Sequence, residues 1–375
     1  MGRRLNHEGS ISKVKNRNSY LGQIWVTRND GSRLRKKVYG KTRGEVQKKL
    51  RQIRYEQKQG ISPDIKSETV KEYLERWHKD PSLRPSSIDS RRLNINRVTP
   101  LIGGKELKSL RAVDIHFVYE KLSETLSSSS VMQVHALLRK GLRDAVKEGI
   151  IATNPMDRVT HTPKIVRKEM EYLNQDEVVT LLNIESEWKP LWALLIGTGL
   201  RLGESLGLQW KDIDKGSQTL KIVRSLKKVT GLGLIYQNPK TEKSRRTIFL
   251  PNMVSKALSK HRAVQSEHRL LLGSDWNDED LVFPNEWGKP LDPSRVNRAL
   301  KKSIIESGIG RHIRVHDLRH TAASLALLKG IPGKVVQEML GHSHYSTTMD
   351  IYSHVDQELH IEASQKMDAV LGGYK

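Results

Sequence analysis

The sequence lacks cysteine, long apolar runs and clustered carboxylates, and each absence excludes a class of protein. With no cysteine in 375 residues, a disulfide scaffold, a thiolate metal site and cysteine catalysis are excluded, and a reducing cytoplasm is the expected location. No stretch approaches the ~20 apolar residues of a membrane span, so we expect a soluble protein without a membrane partner. The length suits two or three domains, each with its own core.

Positive charge is abundant and concentrated near the start of the chain. The net charge is +23, and residues 1–60 contain 17 Lys and Arg against 4 Asp and Glu. Such a surplus predicts a polyanionic partner. Nucleic acid fits better than a membrane surface, because no basic amphipathic helix with a large apolar face accompanies the charge.

The first sixty residues predict a small sheet with one helix. Three predicted strands are Ile11 to Lys15, Tyr20 to Thr27 and Leu34 to Val38. Asn29-Asp30-Gly31 between the last two is a strong hairpin signal. Thr42 and Glu45 form a capping box that opens a helix to about Gln59. The predicted packing stripe of this helix is Val46, Leu50 and Ile53.

The next region predicts a module of four helices. Val70, Tyr73, Leu74 and Trp77 keep the spacing of one apolar helix face. The helices are expected from Ser67 onward and at about 86–99, 112–125 and 130–148. Asn154-Pro155 ends the module, and the basic, non-periodic stretch that follows predicts an interdomain linker.

The rest of the chain predicts a mostly helical domain with a small antiparallel sheet. Asn174 and Glu177 form a capping box at its start. Its predicted strands are Leu220 to Val223, Leu234 to Tyr236 and Arg246 to Leu250, and its predicted scaffold helices lie near 252–272 and 293–307. The fold class is therefore α+β and multidomain.

Candidate functional residues gather between Arg311 and His354. His316 and Arg319 lie three apart on a predicted helix, so both point the same way from one turn. A second predicted helix ends at Gly341 and leaves His342 exposed. Tyr352 follows ten residues later.

These residue types together favour phosphate chemistry without a metal. Arginine presents a planar fork of donors that fits phosphate oxygens and keeps its charge. Histidine transfers protons near neutral pH. A tyrosine hydroxyl can attack phosphorus and hold it covalently, although its ordinary pKa of about 10 means that it needs help in losing its proton.

The motifs H-D-L-R-H-T from His316, L-G-H-S around His342 and Y-S-H from Tyr352 resemble the tyrosine recombinase family, specifically the integrases of phages and integrative elements. The resemblance extends to T-G-L-R-L-G-E, where Arg201 matches the first catalytic arginine and Glu204 its supporting carboxylate. It also implies Lys240, in a P-K-T-x-x-S-x-R context, as the lysine that protonates the departing DNA oxygen.

By this resemblance the protein is a site-specific recombinase that cuts and rejoins DNA through a 3′-phosphotyrosine link. Tyr352 would attack the scissile phosphate, with Arg201 and Arg319 holding its non-bridging oxygens. Lys240 would act as general acid, and His316 and His342 would assist proton transfer and phosphate binding. Neither ATP, a metal nor another cofactor is expected.

The resemblance also implies a domain division and partners. Residues 1–60 would be an arm-type DNA-binding domain, 65–160 a core-binding domain, 161–171 a linker and 172–375 the catalytic domain. The implied DNA-binding residues of the first domain are Arg33, Arg35, Lys36 and Lys37. The expected partners are double-stranded DNA at attachment sites, further copies forming a homotetramer on DNA, and a directionality factor or host DNA-bending protein.

Several local motifs suggest other chemistry. Gly203 to Gly207 matches the G-x-S-x-G elbow of serine hydrolases, but the strand before Ser205 is missing. Gly197-Thr198-Gly199 does not continue into a dinucleotide loop. His316 and His320 have a zinc-like spacing without an evident third ligand.

Further alternatives concern individual residues and the class of enzyme. Lys243, Arg245 and Arg246 compete with Lys240, and Tyr345 is a second possible nucleophile. A non-catalytic DNA-binding regulator of the same fold and a type IB topoisomerase are the remaining alternatives.

Overall fold

The chain forms two compact units in the computed structural model, Met1–Arg167 and Lys168–Lys375. The structure describes residues 9–14, 18–27, 31–58, 61, 68–165, 170–238, 245–351, 364, 367–368 and 371. Helices and small antiparallel sheets in these ranges confirm the α+β fold class. No helix in the described part of the chain is long and apolar enough to cross a membrane.

The first unit begins with a three-stranded antiparallel sheet and one helix. The elements are β1 (Ser10–Lys13), β2 (Tyr20–Thr27), β3 (Arg33–Gly40) and α1 (Arg43–Lys58), with strand order β1-β2-β3. The buried residues between sheet and helix are Ile24, Val26, Val46, Leu50 and Ile53. The hydroxyl of Thr42 accepts from the N–H of Glu45 at 3.2 Å. The Glu45 carboxylate accepts from the N–H of Lys41 instead of that of Thr42.

A four-helix module follows in the same unit. Its helices are α2 (Val70–Trp77), α3 (Pro85–Ile102), α4 (Ala112–Ser123) and α5 (Ser128–Lys147). The predicted stripe of α2 is buried in the module's core, which confirms its period. Ser127 is the N-cap of α5, and its hydroxyl accepts from the N–H of Ser130. The helix therefore starts two residues earlier than expected.

Seven helices surround the core of the second unit in its described part. They are α6 (Gln175–Asn183), α7 (Lys189–Thr198), α8 (Leu202–Leu206), α9 (Asn252–Leu272), α10 (Pro293–Glu306), α11 (Val315–Leu328) and α12 (Gly333–Leu340). Residues 345–351 are also helical. Helix α7 is apolar on all sides and buried from Leu191 to Ile196, as expected for a central helix packed against α9 and α11.

Strand pairing in the second unit differs from the single sheet that we predicted. Strands β4 (Ile213–Asp214), β5 (Thr219–Ile222) and β8 (Arg246–Phe249) form one sheet, and β6 (Ser225–Val229) pairs with β7 (Gly233–Gln237) in another. The prediction missed β4 and β6, and it wrongly placed β7 in the same sheet as β5 and β8. Gly231 and Gly233 adopt positive φ values of 82° and 72°, so β7 folds back directly on β6. This local hairpin closes a shorter loop than a pairing with a distant strand.

Candidate active site

A tight turn after α7 brings Arg201 to the start of α8. Gly199 has a φ of 63°, and a Cβ atom there would lie 2.4 Å from Cδ2 of Leu340. Both the left-handed backbone and the close approach of α12 therefore require glycine. Arg201 occupies the N-cap position of α8. Its side chain remains 42% exposed, which leaves the guanidinium accessible to a ligand.

Glu204 orients Arg201 from one turn into α8. Its carboxylate accepts from Nη1 of Arg201 at 2.8 Å and from the backbone N–H of Arg201 at 3.0 Å. The side chain is only 7% exposed. Burial acts to raise the pKa of Glu204, but the charges and hydrogen bonds of Arg246 and Arg201 outweigh it and leave the pKa below its ordinary value. Glu204 is therefore ionised at neutral pH and is hydrogen-bonded to both the side chain and the backbone of Arg201.

Arg319 is held in a different way on α11. Its side chain is buried, Nη1 donates to the carbonyl of Gly199 at 2.5 Å, and Nη2 donates to the carbonyl of Leu340 at 2.7 Å. Among the described residues its guanidinium forms no ion pair. Burial, reinforced by the charge of Arg201, lowers the pKa of Arg319 to about 9. The group is still a cation at pH 7, without a carboxylate bonded to it.

His316 lies one turn before Arg319 on the same helix. Burial and the charge of Arg319 lower its pKa. Its ring meets that of His320 edge to face at a centroid distance of 4.9 Å, and burial together with His316 lowers the pKa of His320 to about 4. Both rings are thus neutral in the free protein. Within the described ranges, no group of three or more acidic or histidine side chains is arranged to hold a metal ion.

His342 follows directly after α12. Gly341 ends that helix with a φ of 66°, and the His342 ring makes a 3.0 Å hydrogen bond between Nδ1 and the hydroxyl of Thr348. Burial, with the nearby charges of Arg319 and Arg201, lowers the pKa of His342 to about 3. The structure therefore brings His342 into the same electrostatic environment as the two predicted catalytic arginines.

Arg246, at the start of β8, is the residue that the sequence reasoning undervalued. The sequence presents it as one of several interchangeable cations near Lys240, but its side chain is 7% exposed. Nη2 donates to Glu204 at 3.0 Å, and Nε donates to the carbonyl of Met339 at 2.8 Å. Alternation along β8 was a usable signal, because residue 246 lies on the same strand face as the buried Ile248.

These side chains form one positively charged cluster. Arg201, Arg246 and Arg319 interact with a single carboxylate, Glu204, so the cluster keeps a positive surplus. Neutral histidines add hydrogen-bonding groups without a competing negative charge. An oxyanion with several acceptor oxygens, such as a phosphodiester, matches this arrangement.

The hydrolase alternative is inconsistent with the structure around Ser205. A helix, α7, precedes the turn where the elbow motif needs a strand, and Ser205 lies within α8. The side chain is fully buried, and its hydroxyl donates to the carbonyl of Leu202 at 2.8 Å. Ser205 is therefore a structural residue, not an exposed nucleophile.

The predicted basic residues of β3 are divided between the two sheet faces. Arg33, Arg35 and Lys37 are exposed and share one face, while Lys36 alternates to the other. The Arg35 guanidinium lies 5.8 Å from the ring centre of the exposed Trp25. Three of the four residues therefore share one exposed basic and aromatic face.

Two of the predicted catalytic residues, Lys240 and Tyr352, lie outside the described residues, as does Lys243. Ile351, which precedes Tyr352, is buried against residues of α11 and α12. Tyr345, the alternative nucleophile, is 45% exposed. The roles of Lys240 and Tyr352 remain predictions from the motif.

Comparison with family models and known proteins gives a consistent result. A model described as "Phage integrase family" matches residues 171–358, and one described as "Phage integrase, N-terminal SAM-like domain" matches residues 69–123. A "Tyrosine recombinase XerC-like" protein of Caldanaerobacter subterraneus subsp. tengcongensis is 31% identical over 370 residues, which cover 91% of this chain and 94% of the relative. The "ICEBs1 integrase" of Bacillus subtilis is 27% identical over 91% of this chain and 94% of its own length.

Solved structures resemble the fold at low sequence identity. The Tn1549 transposon integrase in complex with a circular intermediate DNA gives a TM-score of 0.66 at 17% identity, over 78% of this chain and 99% of that one. A lambda integrase dimer bound to a COC′ core site gives a TM-score of 0.56 at 18% identity, over 93% of this chain and 96% of that one.

Proposed function

The chain belongs to the phage integrase family of tyrosine recombinases, and from that premise we propose how its own residues break and rejoin DNA. The observation that supports the assignment most is the bond from Arg319 to the carbonyl of Gly199. It joins the H-D-L-R-H-T helix to the T-G-L-R-L-G-E turn, which are more than a hundred residues apart. Arg201 and Arg319 can thereby bind the same phosphate.

The proposed reaction exchanges one phosphodiester bond for another. The phenol oxygen of Tyr352 attacks the scissile phosphorus, a tyrosine oxygen–phosphorus bond forms, and the bond to the 5′ oxygen breaks. Lys240 gives a proton to that departing oxygen. Arg201 and Arg319 stabilise the charge on the non-bridging oxygens in the transition state. The 3′-phosphotyrosine link keeps the energy of the original bond, so rejoining by a 5′ hydroxyl needs no nucleotide.

Neutral histidines suit a hydrogen-bonding role towards the phosphate. Because the pKa values of His316 and His342 are lowered in the free protein, neither ring adds a full charge near the arginines before DNA binds. A bound phosphate anion would partly restore their basicity. His316 can then assist in removing the tyrosine proton, and His342 can donate to a phosphate oxygen.

We propose double-stranded DNA at attachment sites as the partner, with four copies assembling on it to integrate or excise a mobile element. The similar lambda integrase, which was solved as a dimer bound to a core site, supports the assembly of copies on DNA. A directionality factor or a host DNA-bending protein would set the direction.

We also propose the domain division 1–60, 65–160, 161–171 and 172–375. Separate apolar clusters in the sheet module, the helical module and the second unit support it. Met170, near the end of the proposed linker, packs against an apolar cluster of the second unit.

Covalent trapping on a nicked attachment-site substrate tests the proposal. The wild-type protein should form a protein–DNA adduct that survives denaturation, and Tyr352→Phe should bind the DNA without forming one. Tyr345→Phe is the matched control and should form the adduct at the normal rate. An adduct from Tyr352→Phe would show that another residue is the nucleophile, and adducts on DNA of any sequence would favour a type IB topoisomerase.

A further inference from the structure

Thr348 contacts a predicted catalytic histidine from the helix that leads to the predicted nucleophile. We propose that Thr348 is a positioning residue whose hydroxyl fixes the ring orientation of His342 by occupying Nδ1, so that Nε2 is the nitrogen left to face the scissile phosphate. This inference rests on the proposed function, and it assigns a role to a residue outside the six catalytic positions. It also makes the orientation of the His342 ring depend on the packing of the 345–351 helix.

The backbone and the ring of His342 are held by different residues, and Thr348 holds the ring. The backbone of His342 is fixed by the last turn of α12, because its N–H donates to the carbonyl of Gln337 and its carbonyl accepts from Nε2 of Gln337, both at 3.1 Å. Within the described residues, the 3.0 Å contact with the Thr348 hydroxyl is the hydrogen bond of the ring. Thr348 is fully buried, as is Ile351 one turn later, so the hydroxyl is held by packing.

The tautomer of His342 determines which group faces the phosphate. A neutral imidazole has a single N–H, and a hydroxyl can serve either ring nitrogen as donor or acceptor. If Thr348 donates to Nδ1, the proton lies on Nε2, which becomes a donor for a phosphate oxygen. In the other tautomer, Nε2 would present a lone pair to an anion and repel it.

The positively charged surroundings of His342 keep its ring neutral, so the ring has only one N–H to direct. Arg201, Arg246 and Arg319 face it from other elements, together with the ring of His320, and with burial they disfavour a second proton on the ring. A doubly protonated ring would donate from both nitrogens whatever Thr348 did. Because His342 is neutral, its only N–H has to be directed to the correct side.

Thr348 is close in sequence to the predicted nucleophile, so its contact with His342 depends on the segment that precedes Tyr352. Thr348 lies four residues before Tyr352, in a segment that is helical up to Ile351. The hydroxyl reaches His342 only while that segment is seated against α11 and α12, where Ile351 packs. The packing that holds Ile351 against α11 and α12 therefore also holds the Thr348 hydroxyl against His342.

Single-turnover adduct formation on a nicked attachment site tests the proposal. Thr348→Val removes the hydroxyl at nearly constant volume and should slow the reaction about 10-fold to 100-fold, by analogy with groups that orient a metal-binding histidine through its second nitrogen. Thr348→Ser keeps the hydroxyl and should remain within about threefold of wild type. Thr348→Ala gives a second hydroxyl-free variant if the valine variant does not fold.

The matched control is Thr219→Val on β5. Thr219 is another buried threonine of the second unit, and its hydroxyl lies 2.8 Å from that of Ser217. Its loss should leave the rate of adduct formation unchanged.

A double-mutant cycle separates positioning from general stability. In a His342→Ala background, Thr348→Val should add no further loss, because its effect passes through the missing ring. An equal loss in both backgrounds, or a serine variant as slow as the valine variant, would overturn the proposal while the wild-type adduct still upheld the recombinase function. Failure of the wild-type protein to form an adduct would overturn the proposed function and this inference with it.

Discussion

The site contains two buried arginines that are held in opposite ways. On β8, Arg246 is neutralised by the carboxylate of Glu204. On α11, Arg319 is bonded to two backbone carbonyls. A carbonyl supplies a partial charge, so it fixes the position of a guanidinium without cancelling its charge. A buried cation without a carboxylate is unfavourable for folding and favourable for binding an anion.

This difference suggests a division of labour within one cluster. The Arg246–Glu204 pair joins β8 to α8, and the bond from Arg246 to the Met339 carbonyl extends the link to α12. Arg319 instead uses its hydrogen bonds for orientation and keeps its charge for the substrate. We therefore expect substitutions in the two regions to separate catalysis from stability.

The largest expected effect is on catalysis, from Arg319→Met. Loss of a preorganised donor to the transition state should reduce single-turnover adduct formation by about 10²–10³-fold. The free energy of unfolding should change by only ~1 kcal/mol, because relief of the buried charge offsets the two lost hydrogen bonds. Urea unfolding and adduct kinetics on the same preparations measure both quantities.

Arg314→Met is the control for Arg319→Met. Arg314 caps the same helix, pairs with Asp317 and is 62% exposed. Its loss should change the rate of adduct formation by less than about threefold. If Arg319→Met unfolded the protein but left the folded fraction active, the two buried arginines would have the same role and the comparison would fail.

The next effect is on stability, from Arg246→Met. Removing one partner of a buried pair should lower the free energy of unfolding by about 3 kcal/mol, the low end of the usual range because Glu204 keeps Arg201. Adduct formation per folded molecule should fall less than in Arg319→Met. Arg246→Lys keeps the charge but cannot reach both Glu204 and the Met339 carbonyl, so it should recover only part of the stability.

Arg224→Met is the matched control on a similar pair. Arg224 donates to Asp212 at 2.6 Å, and its side chain is 20% exposed. We expect a loss of about 1–2 kcal/mol, smaller than for Arg246→Met because the Arg224 side chain is more exposed, and a normal rate of adduct formation. Equal losses in the two variants would mean that the Arg246–Glu204 pair is an ordinary ion pair of the second unit.

Local spacing predicted a large share of this molecule. The four apolar residues of α2 and the cap residue Thr42 depend on neighbours within one or two turns, and the structure confirms them. The pairing of Arg201 with Glu204 is equally local. Such features follow from helix geometry without knowledge of the rest of the fold.

Contacts between distant segments could not be predicted in the same way. Arg246 is 42 residues from Glu204, and strand alternation alone distinguished it from Arg245 without showing that Glu204 would be its partner. The pairing of β7 with β6 depended on the backbone at Gly231. Whether a cation is paired by a carboxylate or held by carbonyls is a tertiary property, so the difference between Arg246 and Arg319 was invisible in the sequence.

The smallest expected effect is on the pH dependence of stability, and it tests whether Glu204 is the carboxylate that neutralises Arg246. The pKa of Glu204 is lowered in the folded protein by Arg246 and Arg201 despite burial. Its contribution to stability is therefore fully present above the ordinary value of 4.5 and is lost as pH falls through the lowered folded value. The free energy of unfolding of wild type should exceed that of Glu204→Gln by about 2 kcal/mol near neutral pH.

Urea unfolding of both proteins across the acid range measures this difference. His320 and His342, whose pKa values are also lowered, destabilise both proteins as pH falls below about 6.5, so their effect cancels in the comparison. The gap between the two proteins should stay constant down to about pH 5 and close below 4.5. A gap that closed already near pH 6 would mean that burial raises the pKa of Glu204, and that Arg246 and Arg201 do not keep the carboxylate ionised.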